Sequence, residues 1–300
     1  MNYLDIKKDI NIKKIKWCLG CGNYSILIQL CKILKLLKIK KKNIVIVSGI
    51  GCSSRLPYFI KLKGYHTIHG RAFPIATGIK LSNPKLSVWI ITGDGDSFSI
   101  GLNHLLHTIR RDININILIF NNGIYALTKG QKSYTNNNEF NVISLILNAG
   151  STFIARSLDR NPEHLKKMLI YANNHIGTSC IEIYQNCPIY NNKKDIYKNI
   201  LYLKNNKHLI FNNNKCIILK NNIPKIRYYK NNINLIWRHN IYNSYKSFIL
   251  SNFYKINKKL PIPFGILYKK KYKKNNTKNL KIKLNKINKI NKIYNKNFIF

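Results

Sequence analysis

Short apolar runs that alternate with helix-like stretches constrain most strongly how this chain of 300 residues can fold. Apolar runs at residues 43–48, 86–92 and 113–120 predict strands that are buried on both faces. Helical periodicity at residues 24–37 and 162–173 predicts amphipathic helices. The remaining predicted elements are helices at 99–110 and 139–148 and strands at 152–155 and 179–184. This alternation predicts an α/β fold in which a mostly parallel sheet carries helices on both faces.

Polar residues follow two of these runs at the sheet edge where ligands of such folds bind. A Gly-Asp-Gly-Asp stretch at residues 93–96 follows one run, and Asn122 closes the next. The carboxylate of Asp94, the amide oxygen of Asn122 and a nearby backbone carbonyl are suitable ligands for Mg²⁺. The glycines and the N-terminus of the helix expected from residue 99 suit a phosphate. The alternative is a tight turn in which Asp96 or Ser97 only caps that helix.

The cysteines form a second constellation. Cys18 and Cys21 are separated by two residues, Cys52 follows a strand-like run, and Cys187 precedes a proline. A disulfide framework, a zinc site and an iron–sulfur cluster compete. The sequence opens without a signal-peptide pattern, which argues against disulfides. One short pair followed by dispersed cysteines is closer to a cubane iron–sulfur arrangement than to the two short pairs of structural zinc sites. The other cysteines are expected to be small buried hydrophobes: Cys31, Cys180 and Cys216.

Together these motifs resemble the beta subunits of 2-oxoacid:ferredoxin oxidoreductases, and are most similar to the 2-oxoglutarate type. The resemblance runs from about residue 15 to residue 188. The stretches that carry it are WCLGCG at 17–22, SGIGCSSRLPYF at 48–59, TIHGRAFPIATGIKLSNP at 67–84 and GDGDSFSIGLNHLLHTIRRDININILIFNNGIYALTKGQ at 93–131. A weaker similarity is LPIPFG at 260–265.

The resemblance implies a thiamine diphosphate-binding fold and a set of site residues. It assigns one [4Fe–4S] cluster to Cys18, Cys21, Cys52 and Cys187. It assigns Mg²⁺ to Asp94, Asn122 and the carbonyl of Ile124. Further positions expected to contact the cofactor are Gly93, Gly95, Asp96, His69 and Arg71, and Lys129 is expected to pair with a substrate carboxylate. The alternative is that His69, Arg71 and Lys129 are ordinary surface residues.

The activity implied is coenzyme A-dependent oxidative decarboxylation of a 2-oxo acid, in particular 2-oxoglutarate to succinyl-CoA, with electrons passed to ferredoxin. No residue of this chain is assigned as catalytic, because no carboxylate resembles the family's activating glutamate, which an alpha subunit carries. We therefore expect the isolated chain to be inactive. Alternatives are a pyruvate-type subunit, a non-redox thiamine enzyme and a basic nucleic-acid-binding protein.

The charge balance is extreme, with 52 Lys and Arg against 10 Asp and Glu and a formal net charge of +42. Such a charge ordinarily indicates nucleic acid or an anionic membrane surface as a partner. Here the excess is spread through a composition rich in Lys, Asn, Ile and Tyr, typical of a coding bias, so we expect neither partner. Two interpretations of the charge remain. The basic surface attracts an acidic electron carrier, or the charge is tolerated and has no function.

The sequence also predicts a location and a division into domains. No run approaches the roughly 18 apolar residues that a membrane helix needs, so we expect a cytoplasmic protein. We expect a cofactor and iron–sulfur domain at 1–190, an extension packed on it at 191–268, and a basic, disordered tail at 269–300. His104 and His107 lie one helical turn apart, and a packed helix flank is favoured there over a metal site.

Overall fold

The structure is a computed structural model that describes residues 9–136, 140–192, 197–212, 214–228 and 233–271. The helices of this part of the chain are α1 (Asn23–Leu36), α2 (Ala72–Ser82), α3 (Asp94–Phe98), α4 (Leu102–Arg111), α5 (Val142–Asn148), α6 (Pro162–Asn173), α7 (Ser244–Ser251) and α8 (Phe253–Ile256). The strands are β1 (Ile44–Ser48), β2 (Lys63–His66), β3 (Ser87–Gly93), β4 (Asn116–Asn121), β5 (Ile124–Tyr125), β6 (Gln131–Lys132), β7 (Phe153–Leu158), β8 (Ser179–Tyr184), β9 (Ile200–Tyr202), β10 (Ile210–Phe211), β11 (Lys215–Lys220), β12 (Ile223–Tyr228) and β13 (Ile262–Lys269).

An eight-stranded sheet organises the molecule, in the order β2-β1-β3-β4-β8-β7-β13-β9. The six strands from β2 to β7 pair in parallel. Strand β13 is antiparallel to β7 and parallel to β9. The predicted mostly parallel sheet is therefore confirmed, and the carboxyl ends of β1, β3 and β4 meet at one edge.

Helices cover both faces of the sheet, as predicted. Along β4, Ile117 and Ile119 enter one apolar cluster, whereas Leu118 and Phe120 enter another on the opposite face, because successive side chains of a strand alternate. Helices α2, α4 and α5 pack in the first cluster, and α1 and α6 pack in the second. A continuous apolar run is thus explained by burial of the strand on two sides. Cys31, Cys180 and Cys216 are buried in apolar clusters, which confirms their prediction.

The helix predicted at 99–110 is wrong at its start. Strand β3 continues directly into α3, and α4 begins only at Leu102. The two helices are separated at Ser99, whose φ of −92° and ψ of −107° are not helical, and Gly101 is the N-cap of α4. At Gly101 an added Cβ would lie 2.5 Å from the carbonyl oxygen of Asp96 and 3.1 Å from the Cα of Gly70, so the backbone leaves no room there for a side chain.

The start of α3 also settles the alternative of a capping turn. Its N-cap is Gly93, and no side chain caps it. Asp96 and Ser97 lie inside the helix, where the Ser97 hydroxyl donates to the carbonyl of Gly93 at 2.8 Å. The interpretation of either residue as a helix cap is therefore wrong.

Residues beyond 190 contribute to the same sheet through β9 and β13. A small antiparallel sheet of β10, β11 and β12 also packs on it, since Ile217 joins the apolar cluster of α2 and α4. The domain boundaries at 190 and 268 stay a prediction, and residues 272–300 of the predicted tail lie outside the described residues. Residue 139, the predicted start of the helix at 139–148, also lies outside the described residues. The observed helix α5 begins at Val142. Within the described ranges, no helix is long and apolar enough to cross a membrane.

Candidate functional site

A cleft opens at the carboxyl ends of β1, β3 and β4, with about 740 Å³ of empty space that is partly open to solvent. The predicted site residues that line it are Cys52, His69, Gly93, Asp94, Gly95, Asp96, Asn122 and Ile124. The other predicted site residues do not line it, namely Arg71, Lys129, Cys18, Cys21 and Cys187. The topology therefore gathers most of the predicted metal and cofactor positions in one cavity, because the segments that carry them leave neighbouring parallel strands.

Asp94 lies at the base of this cleft and is only 2% exposed. The hydroxyls of Ser133 and Thr135 both donate to its Oδ2, the latter at 2.6 Å. Burial raises the pKa of the Asp94 carboxyl, although these two donors and the backbone N–H of Asn122 act in the opposite direction. No ion pair in the described part of the chain includes Asp94. A buried carboxylate without a protein cation favours a bound metal ion.

Asn122 is brought against Asp94 by the turn after β4. Its Oδ1 accepts the N–H of Ile124 at 3.1 Å, and its carbonyl accepts Nδ2 of Asn191 at 2.7 Å. Gly123, with φ of 72°, makes the turn, a conformation that glycine adopts readily. An amide oxygen has two lone pairs, so Oδ1 can hold a metal while it accepts this hydrogen bond. Ile124 follows in β5 and lines the cleft.

Asp96 has a task that the sequence did not indicate. Its Oδ1 accepts the N–H of Gly70 at 2.8 Å and the N–H of Ile50 at 3.3 Å, and it contacts Nδ1 of His69. Its Oδ2 accepts the hydroxyl of Thr92 at 2.8 Å. One carboxylate thus fixes the loops after β1 and β2, which form two walls of the cleft. A direct contact of Asp96 with the cofactor stays a prediction.

The loop after β1 is held so tightly against Asp96 that Gly49 has no room for a side chain. A Cβ at Gly49 would lie 1.9 Å from Oδ2 of Asp96. We expect Gly49→Ala to destabilise the protein by about 1–3 kcal/mol, because the carboxylate cannot move without losing its donors. Denaturant unfolding measures this change.

Gly78 provides the matched control for Gly49→Ala. It lies in α2, with no atom within 4 Å of an added Cβ, and neither glycine has a positive φ. Gly78→Ala is expected to stabilise the protein by about 0.5–1 kcal/mol, since alanine suits a helix better than glycine. Equal stability of the two variants would contradict the role given to Asp96.

Hydrogen bonds join the three segments that carry the predicted cluster cysteines. Nε1 of Trp17, next to Cys18, donates to the carbonyl of Cys52 at 2.6 Å. The N–H of Gly22, next to Cys21, donates to the carbonyl of Asn186 at 3.4 Å. Asn186 directly precedes Cys187. The fold therefore brings together cysteines that are far apart in the chain.

The thiols also lie within electrostatic range of one another. Burial, together with the neighbouring Cys187, Cys52 and Cys18, raises the pKa of Cys21 to about 12. Burial likewise raises the pKa of Cys52, with Cys187 and Cys18 acting in the same direction and Arg55 against them. Among the residues that the structure describes, no three His, Cys, Asp or Glu side chains form a group that could hold a single metal ion.

Two predicted contact residues lie apart from the cleft. The guanidinium of Arg71 is exposed and contacts Nε2 of His104 on α4. Burial, Arg71 and His107 lower the pKa of His104. Lys129 is exposed in the turn that follows Thr128, with φ of 73°. Their roles toward cofactor and substrate stay predictions.

Behind the cleft lies a buried network that sequence patterns did not reveal. Nε of Arg156 donates to Oε2 of Glu182 at 2.7 Å, with side chains 6% and 1% exposed. Nδ2 of Asn121 donates to the other carboxylate oxygen at 2.8 Å. The hydroxyl of Thr135, which donates to Asp94, lies 3.0 Å from Oδ1 of Asn121. Hydrogen bonds thus extend from the ion pair toward Asp94.

The parallel sheet and the cleft at its carboxyl edge place the chain in the class of thiamine diphosphate-binding domains. Residues 49–183 match the family described as thiamine pyrophosphate enzyme, C-terminal TPP binding domain. A solved structure of similar fold is 2-oxoglutarate:ferredoxin oxidoreductase from Magnetococcus marinus with 2-oxoglutarate, coenzyme A and succinyl-CoA bound. The similarity has a TM-score of 0.73 at 26% identity and covers 94% of this chain and 90% of that one.

Curated relatives identify the family within this class. The chain is 42% identical over 229 residues to 2-oxoglutarate oxidoreductase subunit KorB of Mycobacterium tuberculosis. The aligned region covers 69% of this chain and 61% of the relative. It is 40% identical over 204 residues to 2-oxoacid:ferredoxin oxidoreductase subunit beta of Saccharolobus solfataricus, with 62% of this chain and 67% of the relative covered. The chain belongs to the beta subunits of the 2-oxoacid:ferredoxin oxidoreductases.

Proposed function

We propose that this chain binds thiamine diphosphate with Mg²⁺ and one [4Fe–4S] cluster, as the beta subunit of an enzyme that oxidatively decarboxylates a 2-oxo acid and forms an acyl-CoA. The observation that carries the proposal is that Cys52 lines the same cleft as Asp94 and Asn122. A cluster ligand and the diphosphate-binding residues would then share one cavity, which gives electrons a short path. When bound, thiamine diphosphate supplies the electron sink for loss of CO₂, and the cluster accepts single electrons.

The residues present fit both groups. Asp94 offers a buried carboxylate that lacks a protein cation, and Asn122 offers an amide oxygen beside it. Ser133 and Thr135 hold Oδ2 of Asp94 in place through their hydroxyls. For the cluster, the donor set is four thiols, and iron–sulfur clusters are commonly held by four cysteines. Burial and the neighbouring thiols of Cys187 and Cys18 raise the pKa of Cys52, and Arg55 offsets part of this increase.

Substrate and partners are part of the proposal. The names of the mycobacterial relative and the Magnetococcus enzyme favour 2-oxoglutarate, converted to succinyl-CoA with coenzyme A as co-substrate. Lys129 would then pair with the distal carboxylate, since Leu127 and Thr128 just before it line the cleft. A pyruvate-type enzyme is the second candidate. Ferredoxin would receive the electrons, and the formal charge of +42 favours an acidic carrier.

The proposed alpha subunit supplies what the cleft lacks. Among the described residues that line the cleft, only Asp94 and Asp96 carry carboxylates, and both already accept several hydrogen bonds. Neither is therefore suited to activate the cofactor ring, and the activating glutamate would come from the partner. A cytoplasmic location belongs to the same proposal, because thiolates that bind iron persist in reducing compartments.

The test is anaerobic co-expression with the alpha subunit, followed by assays of iron, acid-labile sulfide and ferredoxin reduction by several 2-oxo acids with coenzyme A. Cys52→Ser is expected to lose most of the iron and sulfide. Cys216→Ala is the matched control, since Cys216 lies buried in the small sheet and should leave the cluster intact. Absence of iron and sulfide in the native complex would exclude the redox activity in favour of a non-redox thiamine enzyme.

A further inference from the structure

A buried carboxylate that the proposed function does not use lies directly after β7. Asp159 is 4% exposed. Its Oδ1 accepts the hydroxyl of Tyr197 at 2.7 Å, and its Oδ2 accepts the N–H of Asn186 at 3.2 Å. Its main-chain carbonyl accepts the hydroxyl of Ser25 at 2.6 Å, and its N–H donates to the carbonyl of Tyr184 at 3.0 Å. This residue therefore ties the start of α1 to the segment that follows β8.

Three of the four proposed cluster ligands lie at these two places. Cys18 and Cys21 precede α1, and Cys187 follows β8. Gly22 follows Cys21, and Asn186 precedes Cys187. A Cβ at Gly22 would lie 2.1 Å from Oδ2 of Asp159, so the carboxylate presses directly on the backbone of the first cysteine loop. The same carboxylate oxygen accepts the N–H of Asn186. Asp159 and Cys21 also line a common surface pocket.

We propose that Asp159 is a positioning residue for the iron–sulfur cluster, which holds the Cys18–Cys21 loop against the Cys187 segment and places a negative charge beside them. The inference rests on the cluster in the proposed function. Burial raises the pKa of the Asp159 carboxyl above its ordinary value of 3.8, and the hydroxyl of Tyr197, the N–H of Asn186 and the nearby Arg160 act in the opposite direction. A charge close to an iron–sulfur cluster changes its reduction potential, and a negative one lowers it.

Two substitutions separate the mechanical role from the electrostatic one. Asp159→Ala removes both hydrogen bonds, and we expect iron to be lost to a chelator about tenfold faster, a typical cost of deleting an outer-shell partner of a metal site. Asp159→Asn keeps an acceptor for Tyr197 but removes the charge. It is expected to retain more of the cluster and to shift its midpoint potential to a more positive value. Magnesium-dependent binding of thiamine diphosphate should change little in either variant.

Asp112 provides a matched control at the other end of the sheet. Its Oδ1 also accepts a hydroxyl and a backbone N–H, from Thr152 at 2.7 Å and Thr178 at 2.9 Å. Asp112→Ala should therefore lower stability without affecting the rate of iron loss or the potential. All variants are studied as anaerobic complexes with the alpha subunit, with chelator kinetics, a redox titration followed by electron paramagnetic resonance, and thermal unfolding.

The outcomes distinguish this inference from the proposed function. A native complex without iron and sulfide would overturn the proposed function itself. A native complex with a cluster whose release rate and potential are the same in the Asp159 and Asp112 variants would overturn only the role of Asp159. Faster iron release in Asp159→Ala together with a positive shift in Asp159→Asn supports both parts of the inference.

Discussion

Asp94→Asn is expected to weaken magnesium-dependent binding of thiamine diphosphate by about 100-fold or more. The substitution replaces a charged oxygen ligand by a neutral one of the same size, and even the outer partners of metal ligands cost about 10- to 100-fold when they are removed. Titration of the protein with thiamine diphosphate at fixed Mg²⁺, followed by calorimetry or fluorescence, measures the loss. Activity with the alpha subunit should fall with it.

The free energy of unfolding distinguishes a loss of cofactor binding in Asp94→Asn from misfolding of the variant. Burial raises the pKa of Asp94 in the folded protein above its ordinary value of 3.8. A raised carboxyl pKa favours folding at low pH, and that stability is lost as the pH rises through the folded-state value. Without ligands at pH 7, Asp94→Asn should therefore be at least as stable as the native protein. Native protein should gain stability when Mg²⁺ and thiamine diphosphate are added, by about 2.7 kcal/mol at 100 times the dissociation constant, and the variant should not.

The opposite pattern would contradict the assignment of Asp94 as a ligand of Mg²⁺. A variant that unfolds more easily without ligands, yet binds thiamine diphosphate normally, would show that Asp94 is a structural residue. Asp96→Asn is the useful comparison, because the Asp96 carboxylate accepts hydrogen bonds from four groups, one in β3 and three in the loops after β1 and β2. That substitution is expected to lower stability even without ligands, since hydrogen bonds to a charged group contribute about 1.5–3 kcal/mol each.

Glu182→Ala is expected to destabilise the protein by about 3–5 kcal/mol, because it leaves the Arg156 guanidinium buried without its partner. The two side chains are 6% and 1% exposed and joined at 2.7 Å. Domains of this kind are stable by only about 5–15 kcal/mol, so the loss is a large fraction of the total. Denaturant unfolding of the native protein and the variant measures it.

A double variant and a surface control make the test specific. Combining Glu182→Leu with Arg156→Met removes both charges and is expected to recover most of the stability, as apolar replacements of buried ion pairs often do. The exposed pair of Lys166 and Glu163, at 3.8 Å, provides the control, and Glu163→Gln should cost less than about 1 kcal/mol. A cost below 1 kcal/mol for Glu182→Ala as well would show that water reaches the Arg156 pair.

The local pattern of the chain was sufficient for the sheet and for part of the site. Strands buried on both faces appear as short continuous apolar runs, whereas amphipathic helices show apolar residues with a period of 3.6, and both patterns can be recognised in one sequence. The parallel arrangement followed from the alternation of strands and helices, and it predicted that Asp94 and Asn122 lie at one edge of the sheet. The prediction failed where a helix begins, because Ser99 has a non-helical backbone, which the periodicity of residue types does not reveal.

The partners of the site residues could not be predicted in this way. Ser133 and Thr135 are common loop residues, and nothing local distinguishes them from other hydroxyls of the chain, yet both donate to Asp94. Arg71 belongs to a stretch that resembles the family, but its guanidinium contacts His104 on the surface. Each of these contacts joins residues more than thirty positions apart.

Residue types and their spacing therefore established the architecture, the family resemblance and the oxygen donors of the cleft, since each is encoded over a few neighbouring positions. The carboxylates show where that information ends. Asp94, Asp96, Asp159 and Glu182 are all acidic, but one faces the cleft without a cation, one fixes two loops, one ties two cysteine segments and one pairs with an arginine. These tasks differ because burial and long-range hydrogen bonds exist only once the strands are assembled.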